Sequence, residues 1–177
     1  MQDDVRQWFA MRDLKRRNAK QPAYRLLEIL GVRYFTPMTE RLSLVGGRRV
    51  RQWVPFMQDL LFVNETRDAL DRIVEKTPTL QYRYMRGAQH EPMTVRRADM
   101  ERFIRAVSLT DFPQYYSPQE VTPAMRNRRI RIIGGLLDGY EGSLVTVRGS
   151  RVKRLLVEIP MLLAASVEVE PEYIQLL

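Results

Sequence analysis

The chain has no cysteine and one histidine, His90, in 177 residues. The first absence removes disulfides, thiolate nucleophiles and thiolate metal sites together. The second removes any paired-imidazole metal site and leaves a single imidazole for a Ser-His-Asp arrangement. Lysine is scarce as well: Lys15, Lys20, Lys76 and Lys153 are the only four, so 25 of the 29 basic residues are arginine. No stretch approaches the roughly 18 consecutive apolar residues of a membrane span. Met1 to Phe9 lacks the basic-then-apolar order of a secretory leader, and neither a P-loop nor a dinucleotide-type glycine loop is present. The expectation is a cytoplasmic, non-enzymatic protein with no metal, no cofactor and no membrane partner.

The hydrophobic content of 45% supports a packed core, and the formal net charge is +8. Arginine presents a planar fork of donors that suits phosphates and stacks on bases. A polyanionic partner is one reading of this charge; a solvated basic surface is the other. The charge is uneven. Residues 1–107 carry 21 basic and 13 acidic groups, whereas residues 126–177 carry 8 and 6. An anion-facing surface therefore belongs to the first part.

Along the chain, Arg6 to Arg12 is a short apolar run with an aromatic pair and reads as a first strand. The basic cluster Lys15, Arg16, Arg17 and Lys20 follows. Ala19, Ala23, Leu26, Leu27 and Leu30 then fall at helical spacing, with Pro22 in the first turn, which allows a start as late as Gln21, and Gly31 as the stop. Val32 to Thr36 is strand-like up to Pro37. Residues 41–53 alternate around Gly46-Gly47, which predicts a β-hairpin whose arginines, Arg48, Arg49 and Arg51, outweigh a thin apolar face. Thr66 is placed to cap a helix with Leu70, Ile73 and Val74 on its buried side. Leu80 to Met85 reads as a strand, Met93 to Val95 as a short extended piece, and Arg97 to Val107 as a helix. Residues 108–127, with three prolines, read as a linker. From Arg128 onwards about five short strands predict a small barrel, because closure hides strand edges.

The most apolar run of the first half is Val54 to Val63, entered through Trp53. Pro55 cannot donate to a ladder and belongs at a strand entrance; Leu60 to Val63 suits a buried strand. Whether Phe56, Met57 and Leu60 are core or docking surface is open at this stage.

Two matches, in order and joined by a linker, make the chain resemble the NusG family of transcription elongation factors. Trp8-Phe9 on the opening strand, Pro37 at the end of the second and Thr77-Pro78 before the fourth resemble the NusG N-terminal domain. Ile132 to Gly142, Ile-Ile-Gly-Gly-Leu-Leu-Asp-Gly-Tyr-Glu-Gly, is similar to the KOW core, with Gly135, Gly139 and Gly142 as its glycines. Where the family's third strand carries Pro-Gly-Tyr, this chain has Gln58-Asp59-Leu60. The arginine-rich hairpin and the Arg86-Gly87 turn before Pro92-Met93 look most similar to the specialised UpxY-type paralogs, which act at capsular polysaccharide operons.

The resemblance implies an α+β fold: an N-terminal α/β sandwich with an antiparallel sheet over residues 1–107, and a five-stranded KOW (SH3-like) β-barrel over 128–177. It implies antitermination or elongation activity, with docking to the β′ clamp helices and the β subunit of RNA polymerase. Carried over residue by residue, the docking depression is lined by Trp8, Phe9, Met57, Leu60, Phe62, Met100 and Phe103. Alternate residues of a core strand and a Met/Phe pair at i and i+3 also fit a plain core. Leu60, Met57 and Met100 are expected at the mouth of the groove, where apolar anchors act as hot spots. Lys15, Arg16, Arg17 and Lys20 are implied contacts to the non-template DNA strand, with Tyr24 as the aromatic for base stacking; a solvated helix terminus is the other reading. Arg48, Arg49 and Arg51 form a second candidate anion surface, or edge-strand charges that block aggregation. For the barrel, the resemblance implies a protein partner, either Rho or ribosomal protein S ten, and Gly139 and Gly142 read as turn glycines. A ribosomal or other RNA-binding KOW protein is the rival class; such proteins concentrate basic charge around the barrel.

Overall fold

β1 (Gln7–Asp13) lies inside the sheet of the first half, with both faces covered. Period-two geometry sends Phe9 and Met11 to one face and Trp8 and Ala10 to the other, and all four are buried. The structure, a computed structural model, describes residues 5–15, 19–87 and 89–177. Arg16 and Arg17 of the basic cluster lie outside these described residues. The chain divides into two compact units, Met1–Arg97 and Ala98–Leu177.

In the first unit β1 is followed by α1 (Ala23–Ile29), β2 (Arg33–Phe35), β3 (Met38–Val45) and β4 (Arg48–Pro55). Then come β5 (Leu61–Glu65), α2 (Arg67–Lys76), β6 (Leu80–Tyr82) and β7 (Thr94–Val95). The main sheet is antiparallel in the order β2-β5-β1-β6, with β7 also paired to β1. Phe9 stands opposite Val63 and Met11 opposite Leu61. A slip of one residue would turn these side chains to the wrong face, so the pattern specifies the register. On that face they pack with Leu80 and Tyr82 of β6, under Ala23 and Leu27 of α1 and Leu70 of α2. Each fully buried large apolar side chain there contributes about 1.5–3 kcal/mol. β3 and β4 form a separate two-stranded sheet, joined through Gly46 and Gly47 with φ of 56° and 78°.

α1 begins at Ala23, two residues after Gln21, the latest start that the sequence suggests. Pro22 precedes it without a side-chain cap, and a residue ten positions upstream supplies one instead. Asp13, buried at the end of β1, accepts the backbone N–H of Ala23 at 2.8 Å and that of Lys15 at 2.9 Å. α2 is capped as its sequence predicts: Thr66 accepts the Ala69 N–H at 3.3 Å.

The second unit opens on α3 (Arg97–Ser108), all but its first residue, and continues with β8 (Gln114–Tyr116) and β9 (Arg129–Ile132). β10 (Glu141–Thr146), β11 (Lys153–Ile159), β12 (Leu163–Val169) and β13 (Ile174–Leu176) complete it. The sheet is antiparallel in the order β13-β9-β10-β11-β12-β8. Five of these strands fall in the stretch from Arg128 onwards, where the sequence predicts about five. The sixth, β8, corrects the reading of residues 108–127 as a linker: it pairs Gln114 to Tyr116 with Ser166 to Ala164 of β12. Val121, also in that stretch, is buried against Val145, Leu156 and Ala164. Prolines punctuate the segment, but its tyrosines and valine bury enough surface to fold it into the sheet. Among the described residues no helix is long and apolar enough to cross a membrane.

Candidate functional site

Of the seven apolar residues carried over for docking, Trp8, Phe9, Leu60, Phe62, Met100 and Phe103 are buried, and Met57 is half-buried. Leu60 is 1% exposed and Met100 0%, which corrects their expected place at an exposed rim. For Leu60 the cause is the preceding turn. Its N–H reaches the Met57 carbonyl at 3.3 Å, and both residues between are tied down. Gln58 donates its side-chain amide to the Lys15 carbonyl at 2.6 Å. Asp59 accepts from Arg83 at 3.2 Å through its carboxylate and at 3.1 Å through its carbonyl. Burial pushes the Arg83 guanidinium below its usual range, and the Asp59 charge opposes that shift.

The N-terminal end of α1, the root of the hairpin and residues 58–61 enclose a pocket of about 250 Å³. Lys20 and Arg25 bring cations to it, Tyr24 and Trp53 aromatic rings, and Thr36, Gln58 and Asp13 polar groups; Leu60 and Leu61 contribute apolar surface. Lys20 is exposed. Lys15 is partly buried, and its ammonium donates to the Gln21 carbonyl, so this cation is used locally. The guanidinium of Arg25 lies 5.5 Å from the Tyr24 ring centre and pairs with Glu28 at 3.1 Å. The Glu28 carboxyl is held below its usual range, chiefly by the hydroxyl that Tyr34 donates to it. The arrangement combines cations with two flat rings around a recess, which is the chemistry that holds a phosphate and stacks a base. Trp53 is the residue that sequence reasoning assigned only to a strand entrance. Its one signal was being a tryptophan beside an arginine-rich hairpin; the structure leaves it 66% exposed.

Arg48, Arg49 and Arg51 lie on β4 and all three are exposed. Arg51 makes an exposed pair with Glu40 at 3.5 Å. The hairpin carries these arginines apart from the main sheet, and the pocket lies at its root.

In the second unit the three KOW-type glycines serve different needs. Gly139 has φ of 78° and occupies a turn. Gly142 lies within β10, which corrects its reading as a turn residue: a Cβ there would sit 2.2 Å from the Leu156 carbonyl oxygen. Gly135, with φ of 68°, lies against the Tyr173 ring. Leu109, Phe112, Leu136 and Tyr173 line a groove of about 610 Å³ in the same unit, with Arg151, Lys153, Glu168 and Glu170 also on its wall. Among the described residues no group of three or more His, Asp or Glu could hold a metal ion.

A solved structure described as "Domain interaction in Thermotoga maritima NusG" is similar to this chain at a TM-score of 0.45 and 14% identity, covering 96% of each chain. No curated protein matches the sequence. The family model described as "Transcription termination factor nusG" matches residues 6–104, more than half of the chain. That span takes in the whole main sheet, the hairpin and the pocket at its root, and it identifies the chain as a member of the NusG family.

Proposed function

We propose that this NusG-family transcription factor is an antitermination or elongation factor that bridges RNA polymerase across its clamp and reduces pausing or termination. Its target, on the UpxY-type resemblance, is a surface or capsular polysaccharide operon. The observation that carries the reading is the pocket shared by Lys20, Tyr24, Arg25 and Trp53 inside the span that matches the family. A recess with cations and two aromatic rings suits an unpaired nucleotide of the non-template strand. Lys20 supplies charge at it, Lys15, Arg16 and Arg17 are proposed as further contacts to that strand, and Arg48, Arg49 and Arg51 supply charge on the hairpin.

The polymerase-binding domain is proposed to run through residue 107, supported by a family match that reaches residue 104 in α3. Met57, half-buried at the surface, is the direct contact to the β′ clamp helices, and Trp8, Phe9, Leu60, Phe62, Met100 and Phe103, all buried, serve the core rather than the contact. The β subunit is the second polymerase contact. The β unit is proposed as a KOW domain that takes a protein partner, Rho or a ribosomal protein, through its 610 Å³ groove. The protein acts in the cytoplasm.

The test is recruitment and transcription with purified polymerase. The wild-type chain is expected to be retained by core enzyme and to shorten pauses. Met57→Asp is expected to lose retention, and Lys20→Ala with Trp53→Ala to retain polymerase binding while losing the effect on pausing. Retention unchanged by Met57→Asp would discard the clamp contact; pausing unchanged by the double variant would discard the strand contact.

A further inference from the structure

The β3–β4 hairpin is an eight-on-eight ribbon about 27 Å long at the usual rise per residue. A two-stranded ribbon alone is marginal in water, yet this one leaves Leu42, Leu44, Val45, Val50 and Trp53 between 40% and 74% exposed. Its register distributes the cations in a specific way. Directly opposed residues share a face, so Leu42 with Arg51, Leu44 with Arg49 and Glu40 with Trp53 stand on one face. Arg41 with Gln52, Ser43 with Val50 and Val45 with Arg48 stand on the other. Each face therefore carries two arginines, and Glu40 near the root is the one carboxylate on either strand.

A single strand lying across a sheet meets one face. Two cationic faces back to back match a partner with phosphates on both sides, which is a groove. A ribbon with side chains on both faces is about 10 Å thick, and the major groove of B-DNA is about 12 Å wide. The major groove of A-form RNA is too narrow and deep for such an insertion. The tip fits as well: Leu44 and Val45, 74% and 51% exposed, precede the two glycines and present methyl groups of the kind that contact thymine.

We propose that the hairpin enters the major groove of duplex DNA tip first, with Arg49 and Arg51 against one phosphate wall and Arg41 and Arg48 against the other. The inference rests on the reading of the hairpin as an anion-binding surface and adds the identity of the anion. The hairpin thus holds double-stranded DNA, and the pocket at its root holds an unpaired nucleotide.

The experiment measures binding of the full chain to a B-form duplex, to the same sequence as a single strand and to an A-form RNA duplex, across a salt series. The variant replaces Arg41, Arg48, Arg49 and Arg51 by alanine; a companion carries Leu44→Ser and Val45→Ser. An unchanged thermal midpoint shows that the main sheet is intact. For the arginine variant, duplex DNA affinity is expected to fall at least roughly tenfold, and the salt slope to flatten by about 3 to 4 for four lost phosphate contacts. Single-strand and RNA affinities are expected to hold. Equal loss on single strand and duplex overturns the groove proposal and leaves the anion-binding reading standing. No change on any nucleic acid overturns both. Loss of polymerase retention without DNA, with duplex affinity unchanged, makes the hairpin a protein contact and also overturns the proposal.

Discussion

Gln58, Asp59 and Leu60 stand where the NusG pattern has proline, glycine and tyrosine, and each has work to do in this fold. Gln58 fastens the β1–α1 connection by its carbonyl, Asp59 holds Arg83, and Leu60 turns into the core. Asp59 also lies 3.8 Å from Arg12, so one carboxylate serves two guanidiniums. Arg83 depends on it the more, because its side chain is only 23% exposed and its Nε has no hydrogen-bond partner among the described residues. Replacing Asp59 by alanine removes the carboxylate and leaves Arg83 the Asp59 carbonyl. The expected cost is about 1 kcal/mol, at the low end for an unmet donor because water still reaches the site. Asp59→Asn is expected to recover part of it. Urea unfolding is the measurement, and equal stability of wild type and Asp59→Ala would show that water replaces the pair fully.

At the scale of elements, β8 is the one that changes the domain plan. Arg154, 4% exposed, binds it to the sheet. Its guanidinium donates to the Phe112 carbonyl at 2.8 Å, to the Ser166 hydroxyl and carbonyl at 2.8 Å each, and to Glu168 at 3.1 Å. Tyr116 and Ser166 meet at 3.2 Å, and burial pushes the Tyr115 phenol up to about 12. Arg154→Ala is expected to leave the two carbonyls short of a donor, to cost about 2 kcal/mol and to admit chymotrypsin at Tyr115 and Tyr116. Unaltered protection of those bonds would mean that strand pairing alone holds the segment. The sequence could not announce β8, because three residues among prolines have no period to read and their anchor lies some forty positions downstream. Elements stabilised by their own neighbours were legible: the Thr66 cap, the Gly46-Gly47 turn and the α3 periodicity. The pocket was half legible. Tyr24 was identified as the stacking candidate, whereas Trp53 joins it only because β4 returns past α1.

For the whole molecule the question is whether nucleic-acid affinity follows total charge or its placement. Net charge alone draws any basic protein to DNA and predicts that every arginine counts alike. The fold predicts otherwise, because Arg48, Arg49 and Arg51 stand on a projecting ribbon, while Arg128, Arg148 and Arg151 are equally exposed on the β unit. Two triple-alanine variants, one for each set, lower the net charge by the same three units. If placement governs, the hairpin triple weakens duplex DNA binding by roughly tenfold or more and flattens the salt dependence by about 3, and the β-unit triple leaves both near the wild-type value. If total charge governs, the two titrations superimpose. Identical curves would reduce the basic character of the first half to a solvated surface, and with it the case for a nucleic-acid role distinct from polymerase binding.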